Sequence, residues 1–461
     1  MVYPDLITRS RLLLLLSEFT NPIPSRDQVY QLLQLSIQHG RTALSLESNN
    51  PDAMFNLAQG LRGLAELIGG DTGLQYLLEA DKLLESCFHI QKTTFNLQQQ
   101  KELHKSDVPS TNDSNLININ NSNIYSRSTE LTSMSDENQN NSDNDTVKNL
   151  LNKAEFQIQQ QQQEEEDGMD VDINSTLPSP SDDANLDNSK IIPQTLSDTL
   201  TTRSSLLVSL TLCLPSTSQD IFTILDQSMA LLDEAEQYTP DNPELRLRRA
   251  ENRSTRADKL SELSAVDSNI VENAYQESLG FLLFYNTDEG VQISVEEDCL
   301  RGDILTSLAD YVYSRFKNQR LDEVKKWYTE AIACYTRGFH GDPKNRDVVA
   351  RLGDINLFRL RFYSDEKTCE ILYKNAKVYY EKVLSMLDKE SSLQTPYIIG
   401  LALSEAGLKG SWKQILNEWL KMNRMDVLWR EWDEWWSDNE SLFQWPQDSA
   451  DELVQWRMQH Q

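Results

Sequence analysis

Apolar residues recur at three- and four-residue spacing through most of this chain, and short polar turns separate the stretches that carry them. This spacing places the apolar side chains on one face of an α-helix, and no convincing run alternates in the manner of a β-strand. Proline falls in the turns, at Pro51, Pro243, Pro343 and Pro396. Because proline fits the first turn of a helix but not its interior, each one marks a helix start or the turn before it. The pattern predicts an all-α protein.

The turns belong to a recurring junction. Residues 43–58 read ALSLESNNPDAMFNLA: a helix end, a polar turn and a new helix, with the same spacing in residues 235–250. The clearest copy is AIACYTRGFHGDP at 331–343, followed by the pair Leu352-Gly353. These residues resemble the tetratricopeptide repeat (TPR) family, in which an Ala-ending helix, a Pro/Asn turn and a Leu-Gly pair follow one another. The resemblance covers about 300 of the 461 residues.

The small residues of the repeats depart from the family's spacing. Ala58 and Ala80 are 22 residues apart, as are Ala309 and Ala331, whereas a standard repeat separates such residues by about 12. The resemblance therefore implies a TPR-like α-solenoid of helical hairpins with long helices and a unit of about 44 residues. Small side chains let the two helices of a hairpin approach closely, and neighbouring hairpins must stack to complete the core.

One segment interrupts this pattern. Residues 101–200 are rich in Asn, Ser, Gln and Asp, and they hold 19 acidic and 6 basic residues. Such a composition buries too little apolar surface to offset the entropy of ordering, so a long disordered acidic insert is expected, apart from a candidate short helix at 147–158. The expected organisation is N-terminal hairpins at 1–100, the insert at 101–200, the main solenoid at 201–410 and a Trp-rich end at 411–461.

Charge narrows the class of partner. The formal net charge of −29 argues against direct binding of nucleic acid and favours a basic protein partner, or serves solubility alone. The five cysteines form no CxxC pair, which indicates a reducing compartment. No segment is apolar enough to span a membrane, and the leucine run at 12–16 is too short for a signal peptide, so it is predicted to be a buried piece of the first helix. The expected location is the cytoplasm, the nucleus or both.

Motifs that would indicate catalysis are missing from the sequence. It contains no HExxH, no GxSxG and no phosphate loop of the form GxxxxGK[ST], and its five histidines are scattered. We expect no catalytic residue, no cofactor and no bound metal. The chain is predicted not to be an enzyme.

A basic stripe stands out in this acidic chain. Arg246, Arg249, Arg253 and Arg256 share one helix face at three- and four-residue spacing. One interpretation is a clamp for an acidic peptide or terminal carboxylate, as in TPR domains that hold acidic tails, although the standard Lys and Asn pattern of that clamp is not matched. The other is a helix face that pairs with neighbouring acidic residues or with the acidic insert.

Eight of the nine tryptophans lie between positions 412 and 456. So many tryptophans in one stretch must be buried against something. A capping helix over the end of the solenoid accounts for them. Tryptophan is also enriched at binding anchors, so a docking surface is the second interpretation. Trp435, Trp445 and Trp456 are the candidate partner-binding residues, and Trp445 and Trp456 are expected to point outward.

Two functions from different classes follow. The first is a non-enzymatic TPR-like scaffold that escorts a basic client, such as a ribosomal protein, on an acidic concave face and insert; the analogy to known escort proteins rests on the fold alone. The alternative is a structural or adaptor subunit of a larger nuclear or cytosolic complex, docked through its Trp-rich C-terminus. A charge-led interface should dissolve with salt, whereas an apolar one should resist it.

Overall fold

The computed structural model describes residues 3–17, 26–106, 190–215, 217–218, 220–282, 294–387, 394–422, 432–433, 436 and 446–460. Within these ranges the backbone forms fifteen α-helices and two short 3-10 turns, and no strand occurs there. None of the described helices is long and apolar enough to cross a bilayer. The candidate helix at 147–158 and most of the expected insert lie outside the described residues.

The helices are numbered here in chain order. They are α1 Tyr3–Ser17, α2 Arg26–Leu46, α3 Pro51–Ile68, α4 Gly70–Ser106, α5 Pro193–Cys213, α6 Asp220–Tyr238, α7 Pro243–Ser261, α8 Ser268–Leu282, α9 Val295–Phe316, α10 Leu321–Gly341, α11 Arg346–Arg359, α12 Glu366–Met386, α13 Thr395–Gly407, α14 Trp412–Met422 and α15 Gln447–His460. The 3-10 turns are Lys317–Arg320, between α9 and α10, and Leu360–Phe362, after α11.

The predicted turns begin helices where the sequence places them. Asn50 caps α3 by accepting a hydrogen bond from the backbone N–H of Ala53 at 3.0 Å, and Pro51 occupies the first turn. Asn242 and Pro243 start α7 in the same way. The stretch 43–58 is therefore a junction between two hairpins, as predicted.

Consecutive helices pack in pairs, and the pairs stack in chain order. The hairpins are α1–α2, α3–α4, α5–α6, α7–α8, α9–α10, α11–α12 and α13–α14. This confirms the all-α, TPR-like solenoid. From α5 onward the first helices of the hairpins begin at 193, 243, 295, 346 and 395, which is 49 to 52 residues per unit instead of the 44 expected. The difference arises because Gly302, and not Ala309, is the counterpart of Gly353: each lies against a tyrosine ring of the following helix, and the two glycines are 51 residues apart.

The helical part of the chain after the insert begins earlier than the composition suggested. Helix α5 begins at Pro193, inside the range 101–200 assigned to the insert, and α4 extends past residue 100 to Ser106. Composition misled because α5 is rich in Ser and Thr whose hydroxyls are buried and hydrogen-bonded, as in Thr199 to Gln91 at 2.8 Å. Helix α5 packs on α4, so the helices before residue 107 and after residue 189 belong to one solenoid.

The first helix exposes part of its leucine run. Leu14 packs into the core that α2 and α3 share, but Leu12, Leu15 and Leu16 are exposed. The prediction that this run is buried is thus wrong for these three residues. Because α1 is the first helix described, only one of its faces has neighbours.

Candidate functional site

Four half-buried aspartates on the first helices of three hairpins accept hydrogen bonds from tyrosines on the second helices. We call Asp258, Asp303, Asp310 and Asp354 the aspartate row. The bonds run from Tyr275 to Asp258 at 2.6 Å, from Tyr335 to Asp303 at 2.7 Å, from Tyr380 to Asp354 at 2.6 Å and from Tyr328 to Asp310. Each pair ties the two helices of one hairpin together.

A small residue precedes every aspartate of the row: Ala257, Gly302, Ala309 and Gly353. The ring of Tyr335 lies against Gly302 and the ring of Tyr380 against Gly353. A Cβ atom at Gly353 would be 3.0 Å from the ring, and one at Gly302 would be closer still. The missing side chain lets the ring cross the first helix, so that its hydroxyl reaches the next residue. Sequence reasoning missed these pairs, although the repeated small-Asp dipeptide was there to be found.

Three carboxyl groups of the row influence one another's pKa. Burial raises the pKa of Asp258 to about 6, and the negative charges of Glu262 and Asp303 add to the effect against the hydrogen bond from Tyr275. Burial likewise raises the pKa of Asp354 to about 6, and Asp303 contributes again, whereas Tyr380 and Arg351 lower it. Asp303 thus acts on carboxyl groups in the hairpins before and after its own. Asp258, Asp303 and Asp354 therefore form one coupled site, whereas Asp310 interacts mainly with Arg361 and Tyr328.

Arginines from the next hairpin reach back to this row. Arg351, on α11, lies 2.9 Å from Oδ2 of Asp303 on α9. Arg361, in the turn after α11, pairs with Asp310 and contacts the Tyr328 hydroxyl. Tyrosine hydroxyls donate to Oδ1 throughout the row. Arg351 binds the other oxygen of Asp303, Oδ2, whereas Arg361 shares Oδ1 of Asp310 with Tyr328. The row therefore consists of carboxyl groups fixed by tyrosines, and two of them pair with arginines of the next hairpin. Among the described residues no group of His, Cys, Asp and Glu is arranged to hold a metal ion.

Replacing Asp354 by Asn tests the burial of this row. The folded-state pKa lies above the usual value of about 3.9, so ionisation destabilises the fold as pH rises from about 4 to about 6, and the penalty stays constant above that. Asn still accepts the Tyr380 hydrogen bond and carries no charge. We expect Asp354→Asn to increase the free energy of unfolding by about 2 kcal/mol at pH 8 and by clearly less at pH 5. Urea unfolding at the two pH values measures this; an equal gain at both, or the same gain in Asp322→Asn on an exposed site, would contradict it.

The basic stripe is occupied by acidic neighbours within the fold. Arg249 lies 2.8 Å from Asp233 and 2.9 Å from Glu236, both on α6. Two more of its arginines also form ion pairs, Arg256 with Asp226 on α6 at 2.6 Å and Arg253 with Glu277 on α8 at 3.8 Å. Arg246 is half-buried on the same helix. These contacts support the second interpretation, a helix face that pairs with neighbouring acids.

The described tryptophans build a cap. Trp412, Trp419, Trp432 and Trp456 are buried in one cluster with residues of α13 and α15. Trp456 is only 4% exposed and donates its Nε1–H to Asn417 at 2.9 Å, so the expectation that it points outward is wrong. Its hydrophobic ring faces α14 because α15 folds back over the end of the array. Trp435 and Trp445 lie outside the described residues.

Comparisons with known proteins assign no family to this chain. No protein-family model matches the sequence, and no curated protein matches it. Among solved structures, the nuclear import adaptor Nro1 of S. pombe is similar with a TM-score of 0.32 and 10% identity, over 87% of this chain and 99% of that one. Yeast Tom70 is similar with a TM-score of 0.18 and 11% identity, over 98% of this chain and 92% of that one. Likenesses at this level add nothing to an assignment of function.

Proposed function

We propose that this chain is a non-enzymatic, TPR-like protein-binding scaffold that escorts a basic client protein, such as a ribosomal protein, in the cytoplasm or nucleus. The aspartate row carries this proposal. Its carboxylates are fixed in place by tyrosines, and they are not sealed from solvent, since the side chain of Asp303 is 32% exposed. A client lysine or arginine can take the free Oδ2 position on Asp258 or Asp354, as Arg351 does on Asp303.

The rest of the surface supports a basic client. The chain carries a net charge of −29, and residues 101–200 supply 19 of its 72 acidic residues. A field of this sign attracts a basic protein and repels nucleic acid. The alternative, a subunit docked through the tryptophan-rich end, is less well supported because the described tryptophans are used within the cap. That alternative would have to rest on Trp435 and Trp445.

The test is affinity purification of the full-length chain, washed at low and high salt and read by mass spectrometry. A second version lacks residues 107–189; Lys190 lies 2.7 Å from Glu102, so a short linker can join the two ends without disturbing α4 or α5. We expect one basic protein to be captured and to be lost with salt. A set of several proteins that survives high salt in both versions would instead indicate a structural subunit.

Variants of the row make the test specific. In Asp258→Asn/Asp354→Asn each Asn still accepts its tyrosine hydrogen bond, so the hairpins keep these contacts while the two charges offered to the client disappear. Capture of the basic client should fall by about fivefold or more. The matched control, Asp71→Asn/Asp322→Asn, removes the same charge from exposed sites elsewhere on the array. Equal loss in both variants would show that net charge, and not the aspartate row, holds the client.

A further inference from the structure

Basic residues outnumber acidic ones in two chain segments that meet where α9 ends, α10 begins and α11 ends. The segments 315–326 and 359–361 hold only two acidic residues, Asp322 and Glu323. They contain seven basic residues: Arg315, Lys317, Arg320, Lys325, Lys326, Arg359 and Arg361. Such a local excess of positive charge is unexpected in a chain of net charge −29.

Aromatic rings organise these cations. The ammonium group of Lys317 lies 5.4 Å from the ring centre of Tyr313, and that of Lys325 lies 5.0 Å from the ring centre of Tyr363. The guanidinium of Arg359 lies 5.7 Å from the same ring of Tyr363. The two tyrosines are connected through Phe362, which packs on Tyr313 at 4.9 Å. We call Tyr313, Lys317, Lys325, Arg359 and Tyr363 the cation–tyrosine patch.

The inner and outer cations of this corner differ in their partners. Arg320 pairs with Glu272 and Glu323, and Arg361 pairs with Asp310. In the part of the chain that the structure describes, none of the three outer cations, Lys317, Lys325 and Arg359, forms an ion pair with a carboxylate. Lys317 is exposed and Lys325 and Arg359 are half-buried, and the contacts that hold these three cations are with tyrosines.

The backbone at Lys317 has a conformation that favours glycine. Its φ is +49° and its ψ is −128°, a region that residues with a Cβ atom rarely adopt. Its N–H closes α9 by bonding to the carbonyl oxygen of Tyr313, and glycine would do so with less strain. A lysine at such a position is a cost to the fold, which points to a role for its side chain outside the fold.

We propose that the cation–tyrosine patch binds a segment of a partner protein that carries several consecutive Asp or Glu residues. The three cations supply charge-assisted hydrogen bonds to carboxylates, and the Tyr363 hydroxyl, which accepts a hydrogen bond from Arg359 at 3.4 Å, keeps its own proton to donate. A nucleic acid fits less well, because its charge continues beyond the patch into the acidic surface and because both tyrosine rings are already covered by cations. The charge of this site is opposite in sign to that of the aspartate row. The test of this proposal therefore does not depend on whether the proposed basic client is correct.

The test measures binding of fluorescein-labelled dodecaglutamate to the full-length chain by fluorescence anisotropy at low salt. Lys317→Gln/Lys325→Gln/Arg359→Gln should bind the peptide about tenfold more weakly than the unaltered chain. Lys344→Gln/Lys409→Gln/Lys421→Gln removes the same charge from exposed lysines away from the patch and should bind normally. Equal binding by the two triple variants would overturn the proposal.

A single variant separates binding from folding. Lys317→Gly removes the side chain and the backbone strain together, so it should weaken peptide binding severalfold while the thermal midpoint stays the same or rises. A lowered midpoint with unchanged binding would show that Lys317 serves the fold.

Two further arms assign the occupant. The version lacking residues 107–189 should bind the peptide no more tightly than the full chain; a tenfold gain would make the chain's own acidic segment the occupant. A 12-residue oligothymidylate should bind more weakly than the peptide. Tighter binding that is lost in the Lys317, Lys325 and Arg359 variant would overturn the proposal in favour of nucleic acid.

Discussion

Replacing Asp310 by Ala is expected to lower the free energy of unfolding by about 3–5 kcal/mol, one of the two largest effects that we predict. The cause is Arg361, whose side chain is only 7% exposed and which keeps its charge when its partner is removed. The Tyr328 hydroxyl loses its acceptor at the same time. A buried cation without a carboxylate partner cannot recover its hydration, so the folded state is destabilised by the full desolvation penalty of the cation.

Urea unfolding followed by circular dichroism measures this cost. The double variant Asp310→Leu/Arg361→Met replaces both charges with apolar groups and should recover most of the lost stability, because no charge is then left buried. If Asp310→Ala alone cost less than about 1 kcal/mol, Arg361 would have to be solvated in the folded protein, and its burial at this site would be wrong.

Replacing Trp419 by Ala should destabilise the C-terminal cap by about 3–5 kcal/mol, the range measured when a large buried aromatic side chain is removed. Trp419 is almost fully buried and packs against Trp432 at 6.0 Å between ring centres. The remaining rings, including that of Trp456, cannot fill a space of that size without moving. We expect the helix α15 to separate from the body while the N-terminal hairpins stay folded.

Limited proteolysis read by mass spectrometry detects this separation. Cleavage within residues 446–460 should become fast in Trp419→Ala and stay slow in Trp419→Phe, which keeps most of the apolar contact. Cleavage of α1 to α4 should not change in either variant. Faster cleavage along the whole chain would mean that the cap and the hairpins unfold as one body.

Much of the fold could be predicted because it depends on local chemistry. Asn50-Pro51 and Asn242-Pro243 start helices wherever they occur, so the turns were found from short stretches of sequence. Ala58 and Ala331 are buried as predicted, since only small residues let two helices approach closely. These features need no knowledge of which helix packs on which.

The candidate site was missed because it depends on pairs that are distant in the sequence. Asp303 and Tyr335 are 32 residues apart, and an aspartate in a charged helix looks like a surface residue until its partner is known. The same limit applies to Trp456, whose burial is decided by α14 and not by its own helix. Helix α5 was missed in part because buried hydroxyl groups and disordered segments share a Ser- and Thr-rich composition.

The arginines that cross between hairpins bear on cooperativity. A stack of repeats can in principle open one unit at a time, because each unit contacts only its neighbours. Here Arg351 and Arg361 lie on one hairpin and their carboxylates on the preceding one, and Arg203 likewise joins α5 to Asp81 on α4. Opening one hairpin leaves a charged side chain of the neighbouring hairpin without its partner, so partly open states are disfavoured. We therefore expect the amide protons in α9 to α12 to exchange through a shared opening.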